Sequence, residues 1–278
     1  MKNQENMMAK TTNALKTAKH QNITLSQFLA MPSPSKAITE ALGERKHQFI
    51  ASMVALAKRD PKLNECTKES LLGCGLAAAS LDLPLNQSLG FAYAIPFKNK
   101  ELEILEAQFQ IGWKGFVQLA QRSGQVETIN VSDVREGQLI SENKLTGELF
   151  FDWSIKSSKV AGYVAYFRLL NGFRKALYMS VEKLREHGRK YSRTFSFGHW
   201  STNFDAMAQK TCLKQLISRW CPLSTQLEKA VIFDQAVIKN GEPYYVDSAS
   251  ISPTRLGEEK NKQWEQEVKG ILELEKEN

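Results

Sequence analysis

The spacing of apolar and polar positions changes period several times along the chain. Between about Ser35 and Arg59 apolar residues recur at helical spacing, with Phe49, Ile50, Met53, Val54 and Leu56 on one broad face. Pro61 ends that run, and the prolines of MPSPSKA (31–37) are expected to break any helix before it. Thr67 is placed to cap a second helix, ESLLGCGLAAASLDL, closed by Pro84 and Asn86. The period then falls to two. SLGFAYAIPF (88–97) and LEILEAQFQI (102–111) flank KNK and predict a hairpin. A helix follows through Gly-Trp-Lys-Gly (112–115), with Gly124 as its C-terminal stop. QVETINVSDVREGQLI and ELFFDWSIK read as strands. GYVAYFRLL and RKALYMS flank Asn171-Gly172, a strong hairpin signal. Ser180 caps a short helix, VEKLREHGRK, and a Gly- and aromatic-rich loop leads to a helix from about Thr202 to Trp220.

Strands thus cluster in the middle, with helices before, between and after them. This predicts an α+β fold with a central, mostly antiparallel sheet and helices packed on it. Residues 1–22 are polar and lysine-rich, and 1–30 are expected to form a flexible arm. Residues 31–246 form the core, and 247–278 a linker followed by an acidic, charged tail.

Charge alters this picture. The net charge is +7, but residues 247–278 hold five Lys/Arg and eight Asp/Glu, which leaves +10 on residues 1–246. A basic body suits a polyanion partner; a soluble protein that happens to be basic is the plain alternative. No window of 18 apolar residues occurs, so no membrane partner is expected. The four cysteines lack C-x-x-C spacing, and with no export signal they read as reduced cytosolic thiols. No metal site is expected. No G-x-x-x-x-G-K-[ST], G-x-S-x-G or H-E-x-x-H is present, so nothing points to an ATP cradle or a catalytic centre. Asp133, Glu136 and Asp152 read as surface or turn acids rather than a set that holds two metal ions.

Three basic segments remain. In the first, Gln110, Trp113, Lys114 and Arg122 surround the 112–115 turn. Lys114, Gln118, Gln121 and Arg122 share one helix face; Phe116, Val117, Leu119 and Ala120 form the other. Trp113 reads equally well as core or as contact. In the second, Lys183, Arg185, Arg189, Lys190 and Arg193 are interleaved with Tyr191, Phe195, Phe197 and Trp200. Cations that track phosphates beside aromatics that stack on bases are what single-strand binding needs; Phe197 and Trp200 are the ones expected to be structural. In the third, Lys210 and Lys214 lie one turn apart, either as a solvated pair or as a further contact face.

At AYAIPFKNK (92–100), FQIGWKGFVQLAQRSG (109–124) and MAQKTCLKQLISRWCPLS (207–224), in that order, the chain resembles the RecT family of phage and prophage single-strand annealing recombinases. The resemblance covers about residues 30–245 and implies a core like that of the Redβ/RecT annealing proteins. It implies a DNA-binding, ATP-independent annealing protein rather than an enzyme. Such a protein pairs complementary single strands in phage homologous recombination and assembles as a ring or filament on single-stranded DNA and the annealed duplex. The implied partners are further copies of itself, a phage exonuclease and the host single-strand binding protein, in the cytoplasm of a bacterial host cell. No cofactor is required by this reading, and Mg²⁺ stays open as a modulator. The rival readings are a non-annealing DNA- or RNA-binding regulatory module and, further off, a metal-dependent nuclease. On the annealing reading Lys114, Arg122, the 185–193 cluster and the Lys210/Lys214 face line one groove. The glycines of 112–115 would let a helix N-terminus approach a phosphate backbone, and the acidic tail with Trp264 would dock a partner or compete for the groove.

Overall fold

The computed structural model describes residues 23–99, 102–192 and 194–245. Residues 1–22 of the expected arm, the tail at 247–278 and Arg193 lie outside the described residues.

The fold is mixed, with antiparallel sheets and helices packed against them. It opens with helices α1 (Leu25–Leu29) and α2 (Pro32–Leu42), a 3₁₀ turn (Gly43–Arg45), and helices α3 (Lys46–Arg59), α4 (Pro61–Glu65) and α5 (Lys68–Ser80). Two expectations change here. The end of the predicted arm is folded: Thr24 and Gln27 form a reciprocal cap on α1, which buries Leu25, Phe28 and Leu29. MPSPSKA starts a helix rather than breaking one. Pro32 and Pro34 sit in the first turn of α2, where a missing N–H costs no intrahelical bond. Thr67 is at the N-cap of α5, but its hydroxyl donates to Ser70 Oγ at 2.8 Å instead of accepting from the helix backbone.

Strands β1 (Ala92–Asn99) and β2 (Ile104–Ile111) form the expected hairpin. Helix α6 (Trp113–Arg122) carries the chain to β3 (Val126–Arg135), and Gly124, with φ +68°, follows its C-cap. Strands β4 (Leu139–Asn143) and β5 (Glu148–Phe151) pair as a separate hairpin. Strands β6 (Val160–Leu169) and β7 (Arg174–Ser180) turn at Asn171-Gly172 and complete a sheet of order β3-β6-β7. Then come α7 (Val181–Tyr191), α8 (His199–Thr202), α9 (Phe204–Trp220), α10 (Thr225–Phe233), β8 (Val237–Lys239) and β9 (Glu242–Tyr244).

The core lies where α9 crosses the three-stranded sheet. Tyr163, Ala165, Phe167 and Leu169 alternate inward along β6 while Arg168 stays exposed, the pattern of an antiparallel sheet with one face packed. Leu213, Leu216 and Ile217 meet them from α9 and are fully buried. The β1–β2 hairpin is backed by α5, and Phe109 bridges to Ala236 beside β8. The junctions from β2 into α6 and from α10 into β8 therefore meet in space, next to α9.

Candidate nucleic-acid interface

The 112–115 turn has a clear structural cause. A Cβ on Gly112 would collide with the Gly90 carbonyl oxygen, and one on Gly115 with that of Phe91. Gly112 N–H donates to the Phe91 oxygen at 2.9 Å. The backbone that these glycines approach is thus the chain's own 90–91 segment, which accounts for both glycines without a ligand. Trp113 is half-buried against the core. Lys114 is exposed, with its Nζ 5.8 Å from the Trp113 ring centre. Gln110 is half-buried and donates to Gln108 Oε1 at 2.9 Å.

Arg122 leaves this group. Its guanidinium donates to the carbonyls of Leu81 and Asp82 at 3.2 and 2.9 Å and pairs with the Asp82 carboxylate at 3.6 Å. It ties α6 to the end of α5, about 12 Å along the helix from Lys114.

Helix α7 has the opposite character. Ser180 accepts from Lys183 N–H at 3.3 Å, so the helix starts directly off β7. Leu184 and Gly188 face inward, while Lys183, Arg185, Arg189 and Lys190 are exposed. Among the described residues none of these four cations is in an ion pair. Three lie over rings instead: Arg185 over Phe204 at 4.8 Å, Arg189 over Phe195 at 5.6 Å and Lys190 over Tyr191 at 5.2 Å. The aromatics divide. Trp200 is 6% exposed and packs near His187, Phe195 and Phe204, so it supports the helix. Phe197 is 75% exposed, contrary to the expectation that it fills core, and Tyr191 is also open.

The third segment is not a solvated pair. Lys210 Nζ donates to Asp234 Oδ1 at 2.7 Å and Lys214 Nζ to Asp234 Oδ2 at 2.8 Å. The Lys210 side chain is 7% exposed, that of Lys214 27%, and the carboxylate is fully buried. Burial pulls the Asp234 pKa upward, but the two ammoniums outweigh it and hold the group below the usual carboxylate range. Asp234 Oδ1 also accepts from Ile111 N–H at 2.9 Å, which pins the residue before the 112–115 turn. Asp234 lies outside the three basic segments singled out in the sequence. A lone carboxylate beside an apolar run was the available signal.

Helices α7 and α9 bound a cleft of about 250 Å³, with His187 and Tyr191 on one side and Lys214, Gln215 and Ser218 on the other. Burial, then Lys214 and Lys190, push the His187 pKa below its ordinary value. The acids Asp133, Glu136 and Asp152 have separate partners in Arg135, Lys159 and Ser154. The Cys212 thiol is buried, and burial pushes its pKa up to about 12. Among the described residues no helix is long and apolar enough to cross a membrane.

The model of the RecT family matches residues 47–246. The chain is 41% identical over 213 residues to YqaK, an uncharacterized protein of Bacillus subtilis (strain 168), covering 76% of this chain and 72% of that one. It is 28% identical over 239 residues to the protein RecT of Escherichia coli (strain K12), covering 83% and 86% of the two. With a match over well more than half its length, lying on the elements that carry all three basic segments, the chain belongs to the RecT family.

Proposed function

We propose that this protein binds single-stranded DNA and anneals complementary strands without ATP, as an oligomer. The observation that carries the reading is α7 and the turn after it: four exposed cations outside any ion pair among the described residues, beside the open rings of Tyr191 and Phe197. Unpaired cations track phosphates without regard to sequence, and open rings stack on any base. An annealing protein needs both, because base pairing itself reads the sequence. Family membership and likeness to the protein named RecT support the same reading. Lys114 is a further exposed cation, on α6.

ATP independence is supported by a sequence without a phosphate-cradling glycine loop. Self-association is supported by the β4–β5 hairpin and its flank, where Ile140, Leu145, Phe150 and Trp153 are exposed. The reading makes an exonuclease that exposes single strands and the host single-strand binding protein its natural partners, in the cytoplasm of a bacterial host. It requires no cofactor, with Mg²⁺ as a modulator to be titrated.

The test mixes two complementary labelled oligonucleotides with the protein, without nucleotide, and follows duplex formation by fluorescence transfer. Annealing faster than the protein-free rate is expected, with no effect on a non-complementary pair. Tight binding of either strand without acceleration would leave a single-strand binder and remove the annealing claim.

A further inference from the structure

The node at the floor of the α7–α9 cleft holds one cation more than it balances. Lys210 and Lys214 share one buried carboxylate. A single Lys210–Asp234 pair would already join α9 to the β2–α6 junction with its charges matched. The second lysine is surplus to that structural task. Burial pushes the Lys210 pKa down; Asp234 opposes that shift, and the neighbouring Lys214 adds to it. Lys214 is the more open of the two, and its Nζ has three donors, of which Asp234 takes one. Around it the cleft offers the hydroxyls of Thr211 and Ser218, the Gln215 amide and the His187 ring, and apart from Asp234 none of its lining side chains is a carboxylate.

We propose that this cleft is an anion seat for one phosphodiester group of a nucleic-acid strand, with Lys214 as the contact residue and the Lys210–Asp234 pair as its floor. The proposal rests on the single-strand reading above and adds a defined site to it. Two observations favour a strand over a free anion. The cleft wall at His187 and Tyr191 is flanked on the same side of α7 by the exposed Lys183, one turn before His187, and by Lys190, so a backbone tracking that edge of the helix passes its mouth. Tyr191 at that rim is exposed enough to stack on a neighbouring base.

The experiment uses the full chain and two probes, inorganic phosphate at fixed ionic strength and a fluorescent oligo(dT). In the wild type, phosphate in place of chloride should raise the melting temperature, and Lys214→Met should abolish that increment while leaving melting in chloride unchanged or raised. The same variant should flatten the slope of log affinity for oligo(dT) against log salt by about 0.7. Lys214→Arg should restore the slope, which guards against a variant that merely folds badly. An increment lost with the slope unchanged would mean that the cleft takes a free anion and no strand. Both readouts unchanged would remove the seat. A wild type that binds no oligonucleotide would overturn the single-strand reading and this site with it.

Discussion

Helices α7 and α9 look alike in sequence: each carries lysines or arginines one turn apart among aromatic and apolar residues. In the folded protein they do different things. Arg185, Arg189 and Lys190 stand exposed over rings, whereas Lys210 and Lys214 turn inward onto Asp234. The difference comes from one carboxylate, 20 residues beyond Lys214 in the chain, that the fold brings to the inner face of α9. A cation's exposure is therefore decided by its tertiary partner, and cations of the same local pattern divide into a fully exposed set on α7 and a clamp on α9 of which only the outer member, Lys214, reaches the cleft.

That contrast can be broken most forcefully at its pivot. Asp234→Ala leaves two partly or fully buried ammoniums without a counter-charge, and is expected to cost about 3–5 kcal/mol in denaturant unfolding. A loss under about 1 kcal/mol would mean that the lysines escape to solvent and that α9 resembles α7 after all. The aromatics sharpen the contrast next. Trp200→Ala should cost about 3–5 kcal/mol of stability. Phe197→Ala should leave the melting temperature unchanged and weaken single-strand binding by about 1–3 kcal/mol. Equal effects of the two on melting would erase the division between supporting and exposed rings.

The smallest expected effect is on pH. Burial and the neighbouring Lys214 and Lys190 lower the His187 pKa from its ordinary 6.5, so folding favours the neutral ring. Stability is then unaffected above about 6.5 and declines as pH falls through the depressed folded value. His187→Gln should melt with a shallower dependence on pH below that point. An identical dependence would show that His187 is not buried beside Lys214 and Lys190.

Much of the fold was legible because its signals are local. Asn171-Gly172 between two alternating runs sets the β6–β7 hairpin, and Ser180 sets the start of α7. The helical face of Phe49, Met53 and Leu56 packs inward as its spacing predicts. The misreadings are tertiary or positional. Pro32 and Pro34 break a helix interior but not a first turn. Leu25–Leu29 is too short to show a period, and its three apolar residues acquire meaning only through the helices they touch. Helix α10 and strands β8 and β9 are brief elements, and the bridge from Ala236, between α10 and β8, to Phe109 of β2 is non-local. In the candidate site, the basic and aromatic character of 183–200 could be read directly, but the sorting of Phe197 outward and Trp200 inward could not. The glycines at 112 and 115 announced a close approach; that the approach is to Gly90 and Phe91 required the fold.

On the proposed reading, the exposed face of α7 grips a single strand through its phosphates. The most direct measurement is the salt dependence of oligo(dT) binding for the triple variant Arg185→Ala, Arg189→Ala, Lys190→Ala beside the wild type. At about 0.7 per single-strand phosphate contact, the slope should flatten by about 2, with the melting temperature unchanged and annealing slowed. A variant that keeps the wild-type slope and anneals at the wild-type rate would contradict the account and move the strand to another face of the protein.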